Sequence, residues 1–94
     1  MHSPVFTALA DPTRREIVVA LAQNGTCTAT ELAGDMPITR QAVAKHLMHL
    51  HRAGLVVPER RGREARYRLI PDPLGHAVDW LEEICGRARR AQAA

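Results

Sequence analysis

The sequence predicts a mainly α fold with one β-hairpin, its elements in the order α-α-α-α-β-β-α. Three observations predict it. Helix starts marked by proline recur at Ser3-Pro4, Asp11-Pro12 and Asp72-Pro73; each pairs a capping side chain with a residue whose fixed φ suits the first helical position. Two short helical segments in the middle of the chain are separated by about four residues, the spacing of a helix-turn-helix. Directly after them, the β-prone runs Leu55–Val57 and Ala65–Ile70 flank a basic tip, Arg61-Gly62-Arg63, which reads as a hairpin.

The elements follow in order. Ser3 caps a first short helix whose apolar face is Val5, Phe6 and Leu9. Asp11 caps a second, over about residues 12–23, with Ile17, Ala20 and Leu21 as its stripe; Asn24-Gly25 stops it. Thr28 to Glu31 has the spacing of a capping box and opens a third helix over 29–35. Met36-Pro37 breaks the chain. Thr39 caps a fourth helix over 40–53, with Ile38 placed to staple onto Val43 and Gly54 ending it. Pro58 assigns the first hairpin strand to a sheet edge or an irregular stretch. The last helix covers about 73–90. A helix-turn-helix followed at once by a hairpin is a winged helix-turn-helix, and residues 1–94 read as a single DNA-binding domain of that kind.

Composition narrows the function classes. The chain has 94 residues, 46% of them hydrophobic, and a net charge of +3. That is apolar enough to exclude disorder and too short for more than one core. No apolar run approaches membrane-spanning length, and the N-terminus lacks the pattern of a signal peptide. Two cysteines are too few for a disulfide scaffold and fit a cytoplasmic protein with reduced thiols. The charge is concentrated: residues 40–68 hold eight basic and two acidic side chains, whereas the rest of the chain holds five basic and eight acidic. One strongly basic segment is the footprint of a polyanion-binding surface.

That segment contains the candidate site. Projected at about 100° per residue, the fourth helix turns Val43, Leu47 and Leu50 inward and leaves Arg40, Gln41, Ala44 and Lys45 on its outer N-terminal half. Arginine forks onto guanine, glutamine onto adenine, and a small alanine admits a thymine methyl. Thr39 at the helix start is placed for a phosphate. In the hairpin, alternation sets Arg66 and Arg68 opposite Tyr67, so Arg61, Arg63 and Arg66 are expected to hold a phosphate backbone or a narrow minor groove. The expected partner is double-stranded DNA. In the last helix Leu74, Val78, Leu81, Cys85 and Ala88 recur at 4-3-4-3 spacing, a helix-pairing seam that predicts a homodimer. There is no phosphate loop, nucleophile elbow or zinc-protease motif, so the chain does not read as an enzyme.

The run Leu9-Ala10-Asp11-Pro12-Thr13-Arg14-Arg15-Glu16-Ile17 resembles the opening signature of the ArsR-type winged-helix regulators. So do Thr30-Glu31-Leu32-Ala33, the stretch Ile38 to Leu47, Arg52-Ala53-Gly54-Leu55-Val56, and Gly62-Arg63 with Tyr67-Arg68-Leu69. The resemblance spans about residues 5–85 in unbroken order. It implies a bacterial cytoplasmic repressor, on the nucleoid when bound. The first and last helices would pair two subunits through Val5, Phe6 and Leu9 with the seam residues, on a palindromic operator from which an effector releases the protein.

The family's metal-sensing patterns are missing. Thr30 to Asp35 holds no thiol, and the last helix holds only His76, with Asp79 at the wrong spacing. Neither a metal nor a cofactor is therefore expected. His46, His49 and His51 are close in sequence, yet His51 diverges from the other two. Cys27 and Cys85 read as small apolar residues, leaving a thiol-redox regulator using that pair as the alternative reading. A winged-helix module that binds protein rather than DNA is another.

Overall fold

The computed structural model describes residues 2–93. The elements are α1 (Ser3–Leu9), α2 (Pro12–Asn24), β1 (Thr26–Thr28), α3 (Ala29–Gly34), α4 (Arg40–Arg52), β2 (Val56–Arg61), β3 (Glu64–Leu69) and α5 (Asp72–Ala93). The predicted order therefore holds, with one strand added. β1 is three residues long and joins the hairpin in an antiparallel sheet of order β1-β3-β2. β2 is left at the edge, where Pro58 costs no ladder bond.

The helix starts at Asp11, Thr28 and Thr39 are set as capping chemistry dictates, whereas Ser3 and Asp72 each fall inside the helix that the sequence has them cap. Asp11 accepts from the N–H groups of Thr13 and Arg14 at 2.8 and 3.1 Å. Thr28 and Glu31 form the reciprocal capping box of α3. Thr39 accepts from the Ala42 N–H at 3.1 Å. Ser3 does not cap α1: the helix already includes it, and His2 precedes it without a side-chain bond. The turn from α1 to α2 is held by two arginines instead. Arg14 donates to the carbonyls of Ala8 (2.6 Å) and Thr7 (3.1 Å), and Arg15 donates to that of Leu9 (2.6 Å). At Ala8 and Leu9 they satisfy carbonyls at the end of α1, while the Thr7 carbonyl also takes the Ala10 N–H. Gly25, at φ +83°, ends α2 with its N–H on the Leu21 carbonyl, a backbone region that favours glycine.

One core joins these elements. Ile17 and Leu21 of α2, Leu32 of α3, Val43, Leu47 and Leu50 of α4, and Leu55 and Val56 beside the sheet are all buried. The inward face read for α4 is thus the observed one. Ile38 packs against the same core from just before the helix.

α5 stands apart. Its 22 residues include a single buried one, Ala77, and its packing partner is α1. A helix of that length reaches about 33 Å, which accounts for overall dimensions of 59 × 25 × 21 Å. Val78 (49% exposed), Leu81 (45%) and Ile84 (40%) lie open along it, as do Cys85 and Ala88. At its root, Phe6 and Trp80 meet at a tilt with 5.8 Å between ring centres, with His2 at 6.1 Å from Trp80. Three residues of the predicted pairing surface belong elsewhere, and one of them is Leu9, which packs against the core. Val5 is only 6% exposed and sits in the protomer's own core, and Leu74 packs against that core. In a seven-residue helix the inward and outward stripes adjoin, and Val5 falls on the inner one. Among the described residues no helix is long and apolar enough to cross a membrane.

Candidate nucleic-acid interface

The capped start of α4 projects Arg40, Gln41 and Lys45 into solvent, with Ala44 half-buried between them. Arg40 is steadied from α3: its Nε donates to Thr30 Oγ1 at 3.2 Å, which leaves both terminal nitrogens of the guanidinium facing outward. The far end of α4 is tied to the sheet, because His51 Nδ1 lies 2.9 Å from the Val56 carbonyl oxygen and must donate to it. His51 is thus engaged in the fold. Among the described residues no group of three metal-ligating side chains stands together.

The wing has two chemically distinct faces, fixed by its register. Val57 pairs with Arg68, Glu59 with Arg66, and Arg61 with Glu64. Directly opposed residues share a face, so these six form one side. Val56, Pro58, Arg60, Ala65, Tyr67 and Leu69 form the other, and Cys27 of β1 joins it by pairing with Tyr67. This second face is the inner one: it begins at buried Val56 and Cys27 and ends near the tip with Arg60. The tip is a two-residue turn in which Gly62 takes φ +63° and Arg63 follows, exposed.

The outer face has its arginines matched to carboxylates. Arg68 Nε donates to Glu59 Oε1 at 2.6 Å, and Arg61 pairs with the same carboxylate at 3.7 Å. Arg66 bonds Glu31, Glu64 and Thr26. Arg66 is therefore engaged inside the protein, whereas Arg61 stays 60% exposed beside its carboxylate. Arg60 was not expected among the contact residues, yet it lies on the inner face beside the recognition surface. Arg60, Arg63, Glu64 and Tyr67 of the wing line a cleft of about 660 Å³ together with Arg40, Gln41 and Ala44 of α4 and Thr30 and Glu31 of α3. The signal for Arg60 was present in the alternation: it lies on the Tyr67 side of the hairpin.

Three carboxylates carry depressed pKa values. The N–H groups of Arg14 and Thr13 hold Asp11 below its ordinary value. The Thr28 N–H, then the Arg66 guanidinium, do so for Glu31, and the Arg68 side chain does so for Glu59. Carboxylates with lowered folded pKa values contribute stability that is present above their unfolded pKa and is lost as pH falls through the folded one. The thermal midpoint should be flat above about pH 5 and drop towards pH 3. Asp11→Asn, which keeps a good cap but cannot titrate, should make that drop shallower in a melting series across pH.

Cys27 is buried in β1, which packs on β3, α2 and α3, whereas Cys85 is exposed on α5. Both thiols are free, and the fold does not bring the two together within the chain.

Comparison with known proteins agrees with this geometry. A family model described as a helix-turn-helix domain matches residues 9–59. The chain is 43% identical over 77 residues to the HTH-type transcriptional regulator CmtR of Mycobacterium tuberculosis, covering 82% of this chain and 64% of that protein. It is 47% identical over 83 residues to the HTH-type transcriptional regulator Rv2034 of the same species, covering 88% and 77%. An ArsR-like transcriptional regulator from Rhodococcus sp. RHA1 has a solved structure that matches with a TM-score of 0.86 at 41% identity, covering 99% of this chain and 87% of that one. These matches define a winged helix-turn-helix protein. The chain belongs to the ArsR-type (ArsR/SmtB) family of transcriptional regulators. It spans just under two thirds of the length of CmtR (64%).

Proposed function

We propose that this protein is a sequence-specific DNA-binding repressor that acts in the cytoplasm as a homodimer on a palindromic operator. Arg40, Gln41, Ala44 and Lys45 of α4 read base edges in the major groove. Thr39 binds phosphate, and Arg60 and Arg63 hold the backbone or the minor groove. The observation that carries the reading is the single cleft in which the N-terminal half of α4 faces the two wing arginines that have no carboxylate partner among the described residues. Membership of the ArsR-type family, which includes proteins named as transcriptional regulators and repressors, supports it. The homodimer is supported by the open apolar row on α5 and by Phe6 of α1. A two-fold axis there would space two recognition helices by about one turn of DNA, roughly 34 Å.

The test is an electrophoretic shift on the upstream region of its own gene with excess competitor DNA, followed by selection of bound sequences from a random pool. Gln41→Ala should relax preference at one base position, at a cost of about 1–3 kcal/mol on the selected site. Arg63→Ala should weaken every sequence alike and lower the salt slope by about 1. A protein that shifts no sequence in preference to competitor is not this repressor, and a protein-binding role for the wing would then account for the fold.

A further inference from the structure

We propose that Arg66 is a positioning residue that fixes the wing over the recognition helix, acting through Glu31 of α3 and making no contact with DNA. The inference rests on the DNA-binding reading and adds how its two halves are held in register. Arg66 is 19% exposed at its side chain, and each of its nitrogens is used. Nε donates to Thr26 Oγ1 at 3.0 Å, Nη1 to Glu64 Oε2 at 3.4 Å, and Nη2 to Glu31 Oε1 at 3.0 Å and to the Thr26 carbonyl at 3.3 Å. One guanidinium thus ties β3 to β1 and to α3.

Its acceptor on α3 is itself immobilised. Glu31 Oε1 also takes the Thr28 N–H at 2.9 Å as half of the capping box. The carboxylate, though 54% exposed, is held at the helix start by that bond, so its place is set by α3 and not by the wing.

The place of this contact in the sheet gives it leverage. β1 covers β3 only at Arg66, Tyr67 and Arg68, and Thr28 opposite Arg66 is its last rung. Beyond that rung the wing continues as two strands, through Arg60 paired with Ala65 and Arg61 paired with Glu64, to the tip. A two-stranded ribbon is marginal by itself. Arg66 therefore sits where a three-stranded sheet becomes a ribbon, and it clamps the base of the lever that carries Arg60 and Arg63.

Glu31→Gln separates this role from ordinary charge effects. Glutamine keeps the capping box but removes the anion facing Arg66. If charge alone mattered, deleting a carboxylate near the basic cleft would tighten binding to a polyanion. The clamp gives the opposite sign. Glu31→Gln and Arg66→Ala should each weaken operator binding about tenfold, the order of one charge-assisted hydrogen bond. The slope of log affinity against log salt should stay that of the unaltered protein, and Arg66→Lys should recover part of the loss. In the free protein, amides of residues 59–65 should exchange with solvent at least about tenfold faster in both variants, as local opening of the ribbon requires. That measurement needs no DNA, so it separates failure of the clamp from failure of the repressor reading. Glu31→Gln also carries the test if Arg66→Ala does not fold. Tighter or unchanged binding by Glu31→Gln with unchanged wing exchange overturns the proposal. So does a salt slope lowered by about 1 in Arg66→Ala, the mark of a direct phosphate contact.

Discussion

Leu81→Glu should convert the protein to a folded monomer and weaken binding to a full palindrome by at least about a hundredfold, the low end of what linking two binding modules gains. Leu81 is 45% exposed in the protomer, so a charge there disturbs no internal packing. In a paired α5 it would be enclosed beside Val78, Ile84 and Cys85. Burying an unmatched carboxylate costs far more than the leucine contributed. Each protomer would keep its recognition helix and wing, and affinity for an isolated half-site should therefore be unchanged. Sedimentation equilibrium gives the oligomeric state, and fluorescence anisotropy on full and half sites gives the affinities. A Leu81→Glu variant that remains dimeric would place the pairing surface elsewhere. The apolar row is broader than the seam read from spacing, because Ile84 and Trp80 also lie open; an Ile84→Glu variant should behave in the same way.

Local chemistry made most of the fold legible. Asp11, Thr28 and Thr39 each bond N–H groups two or three residues away, and such caps are written in adjacent residues. The inward face of α4 follows from helical period alone. What escaped the sequence depends on contacts between distant residues. β1 is three residues, too short for any alternation to register. Arg14 and Arg15 grip backbone carbonyls of α1, and a carbonyl has no letter in a sequence. Strand alternation places Arg66 and Arg68 opposite Tyr67, as the register has them. Which face looks towards α4 is decided by β1 and α3, through bonds such as Arg66 to Thr26, 40 residues apart. Hence alternation alone sets Arg66 towards DNA, whereas its bonds turn it to α3 and the inner face carries Arg60.

Leu47→Ala should lower the unfolding free energy by about 2–5 kcal/mol, while Met48→Ala, one position along, should change it by no more than about 0.5 kcal/mol. Leu47 is fully buried, and Met48 is 54% exposed on the opposite side of α4. Truncating Leu47 leaves a cavity among Val43, Leu50 and Ile17, all at 0% exposure, and a packed interior collapses only partly around such a void. A small domain holds about 5–15 kcal/mol in total, so this one change removes a large share of it. The loss would reach function through the same helix, because Leu47 anchors the face opposite to Gln41 and Lys45. Denaturant unfolding at one fixed protein concentration checks it, since stability linked to dimerisation depends on concentration. The midpoint should fall in Leu47→Ala with the slope retained. Equal losses in the two variants would mean that α4 is not seated on its Val43–Leu47–Leu50 face, and the assignment of Arg40, Gln41, Ala44 and Lys45 to the outward side would fall with it.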